Sequence, residues 1–463
     1  MSSSEQHQAI VIGGSIAGML AARVLANYFE QVMIVERDTF SLQPEARAGV
    51  SQSPHAHILL TQGYRIVSDL FPGIEEQLMA QGALEIDWLA ECPVLFPSGW
   101  APRLQSQIQS ITCSRNLLEF TIRQQLSRIQ NVHWLCASTV IQLVPDSCTA
   151  MLRGVLVKDA QGQMTPLLGD LIVDASGRSS PAPEWLKHIG YPPPEETIID
   201  SGLGYASQYF RRPVDFSKDW KSLYVMAKAP DHPHIGALVQ VEGNRWLTTL
   251  MGINRHYPPT DDAGFLDFAR QLRSPIIFET IKDAEPLSTI HSYRATANRQ
   301  RHYEAIKQGP GNFIGFGDSI CAFNPVYGQG MTVAAQSAVT LDQCLKRQWM
   351  GGGGSIGPGF SRSFHRQLAA VVRTPWLMAT GEDLRWPQTT GPQPDWITKM
   401  LQRYIDQIIR LNSRQSMVYQ AFTEVIHMLN PPHSLFQPKI MMNVLAALCS
   451  RDPSCPNSVR TSR

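Results

Sequence analysis

Near the start of the chain a short apolar run, Ala9 to Ile12, gives way to a Gly-rich turn and then to helical spacing from Met19 to Asn27. A second apolar run, Val32 to Val35, follows directly. A fully apolar strand, a helix and another strand in quick succession predict a βαβ unit with a parallel sheet. Further along, Leu223 to Lys228, His234 to Val241 and Trp246 to Ile253 alternate apolar and polar residues between Pro, Gly and Asp clusters. That period of two predicts a separate β-sheet layer between about Glu184 and Arg299. Beyond Phe360 the spacing becomes helical, as in Trp396 to Leu411 and Met417 to Leu429. The glycines Gly351 to Gly354 read as a flexible break after a helix and as a domain boundary.

Composition narrows the classes. A chain of 463 residues suggests two or three domains at roughly 150 residues each. With 40 Lys and Arg against 39 Asp and Glu, no overall charge draws it to nucleic acid or anionic lipid. Apolar residues at 43% and charged ones at 17% argue for a folded globule rather than disorder. None of the eight cysteines forms a C-x-x-C pair or sits at zinc-ligand spacing with histidines, so no metal site is expected. The polar stretch Met1 to Gln8 lacks the regions of a signal peptide, and Met441 to Cys449 is far short of the ~20 apolar residues that span a bilayer. The expectation is a cytoplasmic protein with reduced thiols and no transmembrane segment.

The candidate chemistry begins in the first turn, Gly13-Gly14-Ser15-Ile16-Ala17-Gly18. Gly13 permits the tight turn and Gly18 close packing of helix on strand, while the helix N-terminus offers N–H groups and partial positive charge to a pyrophosphate. Ser15 stands where the G-x-G-x-x-G frame has its middle glycine, and its hydroxyl can bond a phosphate. Glu36 ends the second strand, placed to take both hydroxyls of an adenosine ribose, and the adjoining Arg37 is a further candidate for cofactor binding. Together these point to an ADP-containing dinucleotide.

Two more motifs specify which one. Leu171-Ile172-Val173-Asp174-Ala175-Ser176-Gly177-Arg178-Ser179-Ser180 is a strand ending in a polar turn. Downstream, Asn312-Phe313-Ile314-Gly315-Phe316-Gly317-Asp318-Ser319 leads to Asn324-Pro325-Val326-Tyr327-Gly328-Gln329-Gly330-Met331 and a helix over Thr332 to Leu345. In this order and separation the three motifs resemble the para-hydroxybenzoate hydroxylase-like FAD-dependent monooxygenases, over most of residues 9 to 345. The resemblance implies that Asp318 meets the ribityl chain of FAD, and that Pro325, Gly328, Gly330 and Met331 border the isoalloxazine ring. It also implies that Arg47 and Arg115 meet flavin phosphate or ribityl oxygens, with Asp174 supporting the FAD domain. A helix starting near Gly330 would aim its positive end at the ring, where charge accumulates on reduction. The segment Arg47 to Leu60, with His55 and His57, resembles a stretch in a subset that includes polyketide and terpenoid epoxidases. For both histidines, packing or hydrogen bonding beside the ring is favoured over metal binding or general-base catalysis.

The implied architecture is α/β: a Rossmann-type FAD-binding domain (1–183 and 300–350), interrupted by a β-rich substrate domain (184–299), with a helical C-terminal region (351–463). The implied reaction is a hydroxylation or epoxidation, in which NAD(P)H or a partner reductase reduces FAD and a flavin C4a-hydroperoxide gives one oxygen atom of O2 to an apolar or aromatic small molecule. No catalytic residue is assigned, although Asn324 and Tyr327 lie near the ring turn. Trp246, Tyr205, Tyr224, Phe210 and Met251 are candidates for either pocket or core. Arg299, Arg301, His302 and Tyr303 read as a solvated helix face, not an NADPH clamp. Thr374-Pro375-Trp376 and Gly381 to Trp386 stand out without a motif, as closure of the active site or as a dimer contact. Three alternatives stand: a geranylgeranyl-reductase-like enzyme acting on an isoprenoid alkene, a flavin-binding protein without turnover, and a flavin-dependent halogenase. The last is disfavoured because no two of the ten tryptophans are two residues apart, as W-x-W-x-I-P requires.

Overall fold

The computed structural model describes residues 7–350 and 354–449. The proposed break at Gly351 to Gly353, most of the polar N-terminus and Cys455 lie outside the described residues. The chain opens with β1 (Gln8–Ile12), whose apolar residues are all buried, then α1 (Ile16–Leu25) and β2 (Gln31–Val35). The helix starts three residues before the apolar spacing suggests, because Ser15 is already its extended N-cap. Next come a short strand β3 (Val94–Phe96), α2 (Arg115–Leu126), β4 (Val132–Leu135) and β5 (Leu171–Asp174). The middle region contributes β6 (Gly204–Arg211), β7 (Ser222–Val225), β8 (His234–Val241), β9 (Arg245–Gly252) and β10 (His291–Tyr293). After β11 (Asn298–Arg301) and β12 (Phe313–Gly315) the chain is helical: α3 (Gly330–Met350), α4 (Phe360–Asp383), α5 (Trp396–Asn412), α6 (Ser416–Ile426) and α7 (Pro438–Cys449).

Two sheets organise the molecule. The first is parallel, in the order β12, β5, β1, β2, β4. Its register aligns Ile12 with Val35 and with Asp174, and Asp174 with Gly315. The turns after these strands therefore emerge side by side at the carboxyl edge, the edge where open α/β sheets bind ligands. The second sheet runs β10, β6, β9, β8, β7, β3 and residues 99–100. It is antiparallel except where Tyr224 pairs with Val94, so a strand from well before residue 184 completes it.

Strand alternation divides the aromatic candidates of this second sheet. Phe210 and Trp246 point to one face and bury against Phe265, Phe268, Ile277 and Ile281 of two covering helices. Tyr205 and Met251 have the opposite parity and point to the other face, with Tyr224 and Tyr293. Only the second group reaches toward the motif-bearing turns.

The C-terminal helices also divide. Phe360, Phe364, Leu368, Val372 and Ala379 of α4 join the core around the parallel sheet, whereas α5 to α7 share a core built on Ile408, Leu411, Val418, Val425, Ile440 and Val444. Pro375 lies inside α4. The Arg299 to Tyr303 cluster is not a helix face: residues through Arg301 form β11, and Arg301 is 3% exposed, bonded to Glu196, Ser319 and Arg178. Its guanidinium has five donors for those acceptors, and sequence pattern cannot see that two of the partners lie over a hundred residues away.

Candidate functional site

At the carboxyl edge of β1 the turn is as tight as backbone permits. Gly13 has φ of +99°, and a Cβ there would lie 2.6 Å from the Ala175 carbonyl oxygen. A Cβ on Gly18 would lie 1.8 Å from the Gly13 oxygen, so only glycine lets α1 sit this close to β1. Glu36 is buried and holds this turn, accepting from the Gly14 N–H at 2.7 Å and the Asp38 N–H at 3.0 Å. A carboxylate has about four acceptor positions, which leaves capacity for ribose hydroxyls.

Charge concentrates beside the α1 N-terminus. Arg47 lies 3.2 Å from Glu36, 2.9 Å from Asp38 and 2.8 Å from Glu119, and Arg115 lies 2.8 Å from both Glu119 and the Ser15 hydroxyl. Burial alone would raise the Glu119 carboxyl, and the two arginines hold it below the ordinary carboxylate range. Arg115 Nη1 is buried and unpartnered. A narrow cleft adjoins it, lined by His57, Tyr64, Ile111, Cys113 and Leu118. Arg37, by contrast, is exposed and donates to the Gly49 carbonyl.

Asp174, fully buried, accepts from the Ser176 N–H and from the hydroxyls of Ser176 and Ser180. Its acceptors serve its own turn. Asp318 differs: it is partly buried, and no hydrogen bond or ion pair to its carboxylate is found among the described residues. Burial raises its pKa, and Arg178 and Arg115 act against that rise. A Cβ on Gly330, the first residue of α3, would stand 3.7 Å from Asp318 Oδ1, so the carboxylate lies at the positive end of a 21-residue helix. Before that helix, Asn324 caps a one-turn segment starting at Pro325 by accepting from the Val326 N–H, and Gly328 reverses the chain at φ of +65°. Met331 is partly buried against the main core, and Gln329 Oε1 and Thr332 Oγ1 are buried without partners.

Facing this turn is the inner face of the second sheet. Tyr224 Oη is 3.5 Å from the Val326 carbonyl, and Tyr205, Met251, Tyr293 and Val326 share one apolar cluster with Trp386. His55 is 2% exposed, with its ring edge-on to Tyr205 at 4.5 Å and Nδ1 2.8 Å from the Ser207 hydroxyl. Nε2 has no partner. Burial first, then His57 and His291, lower its pKa to about 3, so the ring is neutral at physiological pH and offers Nε2 without a charge. Burial and Arg115 lower His57 to about 4. Among the described residues no three His, Cys, Asp or Glu side chains are grouped to hold a metal ion.

Asn324 and Tyr327, the sequence candidates nearest the turn, direct their polar atoms to Asp383 at the end of α4. They are struts of the turn. Glu119 and Asn298 are site residues that sequence reasoning did not single out, whereas Asp383 and Trp386 lie in the Gly381 to Trp386 stretch expected to close the active site or form a dimer contact. Glu119 carried a weak signal, lying one helical turn after Arg115 at the i, i+4 spacing of an ion pair. Asp383 and Trp386 reach the site only through tertiary packing.

The residues present fit a dinucleotide that carries a flavin. A cradle too tight for any Cβ, two arginines, an acidic strand end, an unpartnered carboxylate and a glycine turn line up along one sheet edge, opposite an aromatic wall. No protein-family model matches the chain. It is 29% identical to Protein Rv3254 of Mycobacterium tuberculosis over 399 residues, covering 84% of this chain and 82% of that one. Among solved structures, the flavoprotein/dehydrogenase of Cytophaga hutchinsonii matches 94% of this chain and 96% of its own at TM-score 0.66 and 15% identity. The flavin-dependent brominase Bmp2 matches 90% and 98% at TM-score 0.62 and 15% identity. PqsL of Pseudomonas aeruginosa, a probable FAD-dependent monooxygenase, matches 82% of this chain and 97% of its own at TM-score 0.59 and 14% identity. These likenesses show the fold, that of flavin-dependent monooxygenases and halogenases. Among the described residues no helix is long and apolar enough to cross a membrane.

Proposed function

We propose that the protein is an FAD-dependent monooxygenase that transfers one oxygen atom from O2 to an apolar or aromatic small molecule, with NAD(P)H or a partner reductase as the electron source. The observation that carries this reading is the placement of the unpartnered Asp318 and the Gly328 to Gly330 turn between the α1 cradle and the Tyr205 to Tyr293 wall. When bound, FAD supplies electron storage and the activation of O2. The chain's own residues do the rest. Gly13, Ser15, Gly18 and Arg115 receive the pyrophosphate, with Arg47 beside them, Glu36 receives the ribose and Asp318 a ribityl hydroxyl. The N-terminus of α3 favours negative charge on the ring. The aromatic wall keeps water from the reacting face, which protects a reactive oxygen species from decay. His55 Nε2 and the tyrosine hydroxyls of that wall are the polar atoms placed to orient a substrate.

The test is direct. The cofactor released from the purified protein is identified by mass spectrometry, and O2 uptake with NAD(P)H, or with a supplied reductase, is followed across phenols and alkenes. Labelled dioxygen should leave one labelled oxygen atom in the product. Saturation of an isoprenoid alkene under anaerobic conditions would replace this reading with the reductase one, and halide-dependent products would replace it with halogenation. A protein that binds no flavin would overturn it.

A further inference from the structure

The flavin turn hangs on a single carboxylate from the C-terminal part of the chain. Asp383 is fully buried. It accepts from Asn298 Nδ2 at 2.6 Å, from Asn324 Nδ2 at 3.0 Å to each oxygen, and from the Tyr327 hydroxyl at 2.8 Å. Asn298 closes the frame, its side-chain oxygen accepting from the Asn324 N–H at 2.7 Å. The Thr389 hydroxyl donates to the Asp383 carbonyl, and residues 200 and 390 exchange backbone hydrogen bonds, so the chain beyond α4 is tied down as well. All three of these side-chain donors to the carboxylate are neutral, and no ion pair to it is found among the described residues. Burial pushes its pKa up to about 6 against the pull of those donors, as for a charge held without a counter-ion.

Such a charge is costly to bury, and an uncharged acceptor could also receive the Tyr327 hydroxyl. Stability alone therefore does not account for an acid here. We propose that Asp383 is the positioning residue of the flavin turn, fixing Asn324 and Tyr327 from behind and placing a negative charge that opposes accumulation of charge on the reduced ring. This rests on the reading of residues 324–330 as the turn that borders FAD. The helix N-terminus of α3 pulls the redox balance one way and Asp383 pulls it the other, and the second lever belongs to the C-terminal part of the chain.

The experiment compares the full-length wild-type holoprotein with Asp383→Asn and Tyr327→Phe. FAD stoichiometry, thermal unfolding and the flavin midpoint potential, measured by dye-referenced reduction, are read for each. Asp383→Asn removes the charge while keeping the size of the side chain, and is expected to move the potential to a more positive value in a protein that still binds FAD. Tyr327→Phe removes one of the donors that hold Asp383 ionised, and is expected to move the potential in the same positive direction by a smaller amount, with a changed visible circular dichroism of the flavin. A potential equal to wild type in a folded, FAD-loaded Asp383→Asn protein would overturn the proposal and leave the flavin reading intact. If Asp383→Asn does not fold, an unmoved potential in Tyr327→Phe overturns it. Absence of flavin from the wild-type protein would remove the flavin reading and this inference with it.

Discussion

Asp318→Asn should change two properties in opposite directions. The carboxylate is partly buried without a hydrogen-bonded partner, so in the cofactor-free protein its charge opposes folding. An asparagine amide would be equally unpartnered, so the substitution relieves only the cost of the charge, and the cofactor-free variant should be more stable than wild type at neutral pH. The sign with pH follows from the raised pKa. An acid whose folded-state pKa exceeds its unfolded value destabilises the fold fully above the folded value, and the penalty disappears below the unfolded one, near ~3.9. The difference between variant and wild type should therefore shrink as pH falls through that window. FAD affinity should move the other way. Loss of a charge-assisted hydrogen bond to a ribityl hydroxyl costs about 1.5–3 kcal/mol, or about ten- to a hundredfold in Kd. Thermal unfolding of the cofactor-free protein across pH and a flavin-fluorescence titration read the two effects separately. A variant that is no more stable without cofactor and binds FAD as wild type does would refute the reasoning, because the carboxylate would then have a partner other than the flavin.

Three further substitutions examine other parts of the site. Glu36→Ala removes the acceptor for the Gly14 and Asp38 N–H groups as well as for the ribose, so it should lower both Tm and FAD affinity, the latter by about tenfold or more; a titration with unchanged affinity would separate Glu36 from the cofactor. Gly18→Ala places a methyl group 1.8 Å from the Gly13 carbonyl oxygen, and should destabilise by at least the ~1–3 kcal/mol of an overpacked core, seen as loss of soluble protein or a large fall in Tm. Trp386→Ala should cost about 3–5 kcal/mol for a truncated buried tryptophan and shift turnover toward bulkier substrates, so a substrate series ranked as in wild type would place Trp386 away from the substrate.

The sequence was informative where function depends on backbone. Gly13 and Gly18 are legible because a Cβ at either would collide with backbone, Gly328 because its positive φ favours glycine, and the strands before the first two turns because a buried parallel sheet demands continuous apolar runs. Strand register then does what no motif states, bringing Ile12, Val35, Asp174 and Gly315 to a common edge. The side chains were harder. Arg37 and Arg47 are equally plausible on paper as basic partners of a phosphate. Arg37 turns to solvent and Arg47 turns inward, because Asp38, Glu36 and Glu119 surround only the latter.

The same contrast explains why the aromatic wall resisted prediction. Aromatics on alternating strands look alike in sequence, and a difference of one in parity sends Trp246 under the covering helices and Met251 toward the flavin turn. The C-terminal contribution was further hidden, since Asp383 meets Tyr327 across 56 residues and Asn298 across 85, with only hydrogen bonds to mark the junction. Pro375 sits inside α4 without ending it, so the helix carries Asp383 to that junction and delivers Trp386 just beyond it. On the proposed reading the parallel-sheet edge holds the flavin, whereas the C-terminal residues set its turn and limit the size of the molecule that fits against it. Variation in substrate among proteins of this fold should accordingly be sought in the segment equivalent to residues 383–390 and in the inner face of the antiparallel sheet, where a change of side chain leaves the cradle untouched.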